Sequence, residues 1–193
     1  YLPEMLAQHW TISTDKTSLI YNICAFDYTH EKSEEAIEKL WKEDTNYNVV
    51  RLDFSEIKDF ADAESFSERL ISLISRKFTP FGFRFELRPF QTVSDQLSDW
   101  LTAQEKNSLV LLIDEYDAPL TSCLNNKAIF NEVRRALSAF YSVLKSNEGA
   151  LRFAFITGIT KFNKTSIFSE LNNLSDLSLD VEYGTLLGYT YDE

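Results

Sequence analysis

Cysteine is scarce in this sequence of 193 residues: Cys24 and Cys123 stand far apart, and a disulfide framework is excluded as the basis of the fold. A reducing, cytoplasmic setting is therefore the expectation. Histidine is as sparse, with His9 and His30 alone, and no Cys/His pair stands at ligand spacing, which removes a structural zinc site. Long apolar runs are missing too. The longest, Leu109–Ile113, falls far short of the ~20 residues that cross a bilayer, so no membrane span is expected. Tyr1 to Trp10 lacks a basic segment followed by an apolar block, so no secretory signal is expected either. Basic charge is in deficit, 19 Lys and Arg against 30 Asp and Glu, for a net charge of −11. Such a chain repels a phosphate backbone, which argues against broad nucleic-acid binding, and the acidity also favours solubility. Glycine is the most telling shortage. The five glycines are at 82, 149, 158, 184 and 188, so the long segment before residue 82 has none.

What remains is an ordinary globular composition, 44% apolar and 25% charged, enough for one α/β domain with a real core. Asn48–Ser55, Leu109–Ile113 and Leu151–Thr157 read as strands, with a weaker candidate at Leu177–Val181. The unbroken apolar runs suit a parallel sheet covered on both faces, and Leu109–Ile113 and Arg152–Thr157 are both expected to be buried. Helical spacing fills the gaps. Ala63–Phe78 sets Phe66, Leu70, Leu73 and Ile74 on one face. Val93, Leu97, Trp100 and Leu101 follow a Thr92/Asp95 capping box. Ile129, Val133, Leu137, Phe140 and Leu144 make a stripe of about four turns. Strands alternating with helices predict βαβ crossovers and a layered parallel sheet.

Ligands of such sheets sit outside the carboxyl ends of the strands, where Asp114 and Glu115 fall. Asp114 suits a hard cation such as Mg²⁺ through its water shell. Glu115, turned differently, suits a base that orients and deprotonates an attacking water. Phosphoryl transfer needs both functions, and a single Mg-nucleotide, part-neutralised by its metal, is compatible with an acidic chain. Thr157 closes the next strong strand just before Gly158, in place to sense a terminal phosphate or position the water. Lys161 and Lys164 bring two cations near the same edge as candidate nucleotide contacts. Taken singly, the carboxylates and lysines also read as solvated loop charges, and Thr157 as a hydroxyl that closes a strand.

Leu-Ile-Asp-Glu-Tyr-Asp-Ala-Pro-Leu at 112–120, Phe-Tyr-Ser-Val-Leu-Lys-Ser at 140–146 and the run from Arg152 to Leu174 resemble the bacterial AAA-ATPase-like family. Asp15-Lys16-Thr17 with Leu19-Ile20-Tyr21 is similar to its N-terminal signature, and Tyr183–Glu193 to the segment that follows its core. The resemblance implies a three-layer, parallel-sheet P-loop NTPase-like core that uses ATP and Mg²⁺. It also implies a protein partner or a fused C-terminal domain, often restriction-nuclease-like. On this reading residues 1–193 are one domain: signature and helical region at 1–47, core at 48–182, start of the next segment at 183–193. Asp114 and Glu115 match the family's acidic pair, Asp117 a second acidic position, and Thr157 the polar strand end. Arg134 and Arg135, on the intervening helix, are weak candidates for arginine fingers.

One departure stands out. The family carries a strand, a Gly-x-x-x-x-Gly-Lys-Ser/Thr loop and a helix ahead of the strand matching Val49–Phe54. Glycine is what lets backbone N–H groups close around phosphates. Asp15-Lys16-Thr17-Ser18 puts a phosphate-repelling carboxylate where the last glycine belongs. Ile23 then runs directly into Cys24, roughly a strand and a helix too early. Either a segment near that junction is omitted from this chain, or this is a degenerate member serving as a non-catalytic interaction or regulatory module. A metal-dependent nuclease built on Asp53, Asp114 and Glu115 is the third reading, opposed by the net charge and by the lack of an Asp/Glu-x-Lys spacing.

Overall fold

A computed structural model describes residues 47–159 and residue 174. Among these residues three strands, β1 (Asn48–Asp53), β2 (Leu109–Asp114) and β3 (Leu151–Ile156), alternate with four α-helices. These are α1 (Ala63–Phe78), α2 (Val93–Thr102), α3 (Ala118–Ser122) and α4 (Lys127–Ser146). The strands form one sheet in the order β1-β2-β3, and both pairings are parallel. The expected mixed α/β, parallel-sheet core is therefore present, with the three strong strands as neighbours.

Strand alternation divides the sheet into two faces. Val50, Leu52, Leu111 and Ile113 share one face and join Phe66, Leu70, Leu73, Ile74, Val133, Leu137 and Phe140 in a single buried cluster. The amphipathic stripes of α1 and α4 are what cover it. Val49, Val110 and Leu112 lie on the opposite face and are buried as well, so β2 is enclosed on both sides. That is why its sequence is apolar without alternation.

The helices begin where their caps dictate. Asp62 accepts the Ser65 N–H at 2.8 Å and opens α1. The Thr92/Asp95 box forms as expected: Thr92 Oγ1 accepts the Asp95 N–H at 3.2 Å, and Asp95 accepts the Thr92 N–H at 2.7 Å. Asn126 accepts from the Ala128 and Ile129 N–H groups at the head of α4.

Two expectations need correction. The first strand ends at Asp53, not Ser55, because the Asp53 carboxylate accepts the Ser55 N–H at 2.9 Å and turns Phe54–Ile57 into a 3-10 helix. Phe54 leaves the sheet but stays buried, its ring 6.0 Å from that of Phe140. The second concerns β3, which is half-buried rather than buried, with Arg152 exposed. Among the described residues it is the last strand of the sheet, so only one of its edges is hydrogen-bonded. The candidate strand at Leu177–Val181 lies outside the described residues.

Candidate functional site

The site is assembled by strand register. Asp53 stands abreast of Asp114, and Ile113 abreast of Ile156, so the carboxyl ends of all three strands reach one edge together. A one-residue irregularity helps: Leu109 pairs with Leu151, but Val110 pairs with Phe153. The extra residue in β3 reverses which side chains share a face with β2. As a result Phe153, Phe155 and Thr157 run along the face that carries Val110, Leu112 and Asp114. Unbroken pairing would set Ile156 level with Asp114 and turn Thr157 to the other side.

Thr157 extends the ladder by donating its N–H to Ile113 O at 2.8 Å, and its hydroxyl donates to Asp114 Oδ1 at 2.5 Å. The same Oδ1 accepts the Glu115 N–H at 3.0 Å. Asp114 Oδ2 faces the Arg51 guanidinium, with Nη2 at 3.8 Å. Arg51 stands mid-strand on β1, opposite Leu112, and its side chain extends toward the strand ends. Its Nε–H is buried with no hydrogen-bond partner among the described residues.

Glu115 follows immediately and is half-buried, with φ of 48°. A left-handed conformation at a residue with a Cβ costs about 1–2 kcal/mol. It is held from both sides, by the bond to Asp114 and by the Tyr116 N–H, which donates to Thr157 O at 3.0 Å. Asp117 comes next, only 3% exposed, and its Oδ1 accepts the Ile159 N–H at 3.2 Å. Gly158 runs flat against this turn. A Cβ on it would lie 2.4 Å from the Tyr116 ring and 2.6 Å from Asp117 Oδ1, so glycine is required there by close approach. Beneath the turn, Tyr141 of α4 is fully buried, and its hydroxyl has no partner among the described residues. Burial first, and then Tyr116 and Asp117, push that phenol above its usual range.

Asp114, Glu115 and Thr157 are thus brought together as expected, while Lys161, Lys164 and the Ile23–Cys24 junction lie outside the described residues. Arg134 and Arg135 stand on α4, and Arg135 is exposed and paired with Glu132 on its own helix. Asp53 caps its own turn, and Asp53, Asp114 and Glu115 do not form a three-ligand metal group; none exists among the described residues. One carboxylate beside one hydroxyl suits a Mg²⁺ that arrives with a phosphate ligand and keeps most of its waters. It does not suit a resident, all-protein metal cage. Arg51 was not among the residues expected at the site. The signal was there, a charge set between the apolar residues Val50 and Leu52 of β1, but only the strand register shows what it reaches.

The family model described as a predicted AAA-ATPase matches residues 4–168. An uncharacterized protein in the vnfD 5' region of Azotobacter chroococcum mcd 1 is 34% identical over 152 residues. That alignment covers 78% of this chain and 29% of the relative, so the chain spans under a third of that protein's length. No solved structure matches. No described helix is long and apolar enough to cross a membrane.

Proposed function

The chain belongs to the AAA-ATPase-like family, and from that premise we propose that the carboxyl edge of β2 and β3 is the hydrolytic centre of a Mg-dependent ATPase. The observation that carries this reading is the meeting of Asp114 and Thr157, 2.5 Å apart on separate strands, with Glu115 next in the chain. In this reading Asp114 would hold the Mg²⁺ that accompanies the nucleotide. The ion, when bound, offsets charge on the phosphates.

Glu115 accepts a proton from water as its oxygen bonds the terminal phosphorus and the bridging P–O bond breaks, releasing ADP and phosphate. Thr157 keeps Asp114 in place and faces the terminal phosphate. Lys161 and Lys164 would add cationic contacts to the nucleotide. Turnover would drive a conformational change in attached domains or a protein partner.

A second reading, a non-catalytic module on the same fold, is favoured by one observation: the segment from Tyr1 to Phe81 contains no glycine, and so holds no glycine-built phosphate loop. Nucleotide titration of the full-length protein decides between them. Mg-ATP binding that weakens at least about tenfold in Asp114→Ala, the scale of a lost charge-assisted contact, supports the ATPase. No binding by the wild-type protein supports the module.

A further inference from the structure

Asp117 is the buried acid that the proposed chemistry does not use. It neither ends β2 nor faces open solvent, and it opens α3 without capping it through its side chain. Its Oδ1 instead reaches across to the other loop and accepts the Ile159 N–H at 3.2 Å.

That bond is one of four in series. Thr157 N–H to Ile113 O at 2.8 Å, Thr157 Oγ1 to Asp114 Oδ1 at 2.5 Å and Tyr116 N–H to Thr157 O at 3.0 Å join the same two loops. Gly158 lies between the last two bonds, pressed so close to Tyr116 and Asp117 that a methyl group would not fit. The two loops therefore form a single clasp, closed at its far end by Asp117. Inside it sits Glu115, in a left-handed conformation that its own residue type disfavours. Strain of this kind persists only where the surroundings over-determine it.

We propose that Asp117 is a positioning residue: as a hydrogen-bond acceptor it fastens the Thr157–Ile159 loop to the Glu115–Asp117 turn and so holds Glu115 and Thr157 in register with Asp114. This rests on the ATPase reading for its catalytic consequence, but the clasp itself is a matter of geometry. What Asp117 supplies here is an oxygen acceptor, so asparagine replaces it and leucine does not. Gly158→Ala opens the clasp from the other side.

The test uses the full-length protein as wild type, Asp117→Asn, Asp117→Leu and Gly158→Ala, read by amide hydrogen exchange and by ATPase kinetics. Exchange in peptides covering 157–159 is expected to rise in Asp117→Leu and Gly158→Ala while α4 keeps its protection, and to stay near wild type in Asp117→Asn. The maximal rate of ATP hydrolysis is expected to fall about tenfold to a hundredfold in the first two variants, the scale of small misplacement, with KM within about twofold and Asp117→Asn again near wild type. Unchanged exchange in both Asp117→Leu and Gly158→Ala overturns the clasp, as does equal damage from asparagine and leucine. A wild-type protein with no ATPase activity overturns the proposed function instead, and the exchange data still decide whether Asp117 closes the loops.

Discussion

On the helix-covered face of the sheet, Val50, Leu52, Leu111 and Ile113 meet the stripes of α1 and α4, and the helices behind them start at conventional caps. At the carboxyl edge of the same strands the pattern changes. Glu115 is left-handed, Gly158 lies against a tyrosine ring, Asp117 is a buried acid, and the Arg51 Nε–H is buried with no partner among the described residues. The first region satisfies propensity and pattern together. The second departs from each in turn and is held by cross-strand bonds. Departures of this kind concentrate where a protein works, because a reactive geometry is rarely the one that local preferences choose.

Substitutions should separate the two regions. The largest stability loss is expected on the covered face: Phe140→Ala empties a fully buried aromatic site that touches Phe54 and Tyr141, removing about 3–5 kcal/mol in urea unfolding. A loss below about 1 kcal/mol would contradict the role of α4 as the cover of this face. Gly158→Ala is next, with a loss of about 1–3 kcal/mol from overpacking against Tyr116, measured the same way.

Thr157→Val, which keeps the shape and removes the bond to Asp114, is expected to cost about 1 kcal/mol. Its effect on ATP hydrolysis should be much larger than its effect on the melting curve. The reverse ranking would make Thr157 a structural strand-end residue.

The smallest effect is pH-dependent and belongs to the helix caps. Hydrogen bonds from the Thr92 backbone and hydroxyl hold the Asp95 carboxyl below the usual aspartate range. A depressed folded-state pKa gives stability that is complete above the unfolded value and fades as pH falls through the folded one. The melting-temperature gap between wild type and Asp95→Ala should therefore be present at neutral pH and close in acid. A gap that widens in acid would contradict the cap.

How much could be read in advance follows the same division. Leu109–Ile113, the α1 and α4 stripes and the Thr92/Asp95 cap were legible because each is a local pattern with one physical reading. The end of β1 was not, since Phe54 continues the alternation of Val50 and Leu52 while Asp53 turns the chain beneath it. The short helix α3 carries Pro119 in its first turn and is too brief to show a stripe. Asp114, Glu115 and Thr157 could be named from strand ends, but what joins them could not. The extra residue between Leu151 and Phe153, the reach of Arg51 to Asp114 and the need for glycine at 158 all depend on register between strands far apart in sequence.

Glu115 is the residue on which the proposed hydrolysis depends most directly. Steady-state ATP hydrolysis and Mg-ATP affinity should be measured side by side on the full-length protein and its Glu115→Gln variant. Glutamine keeps the shape but cannot take the water's proton, so turnover is expected to fall roughly 10²-fold or more while affinity stays within about twofold. Turnover and affinity that both stay near wild type would contradict the account, leaving the carboxylates at the end of β2 as loop charges.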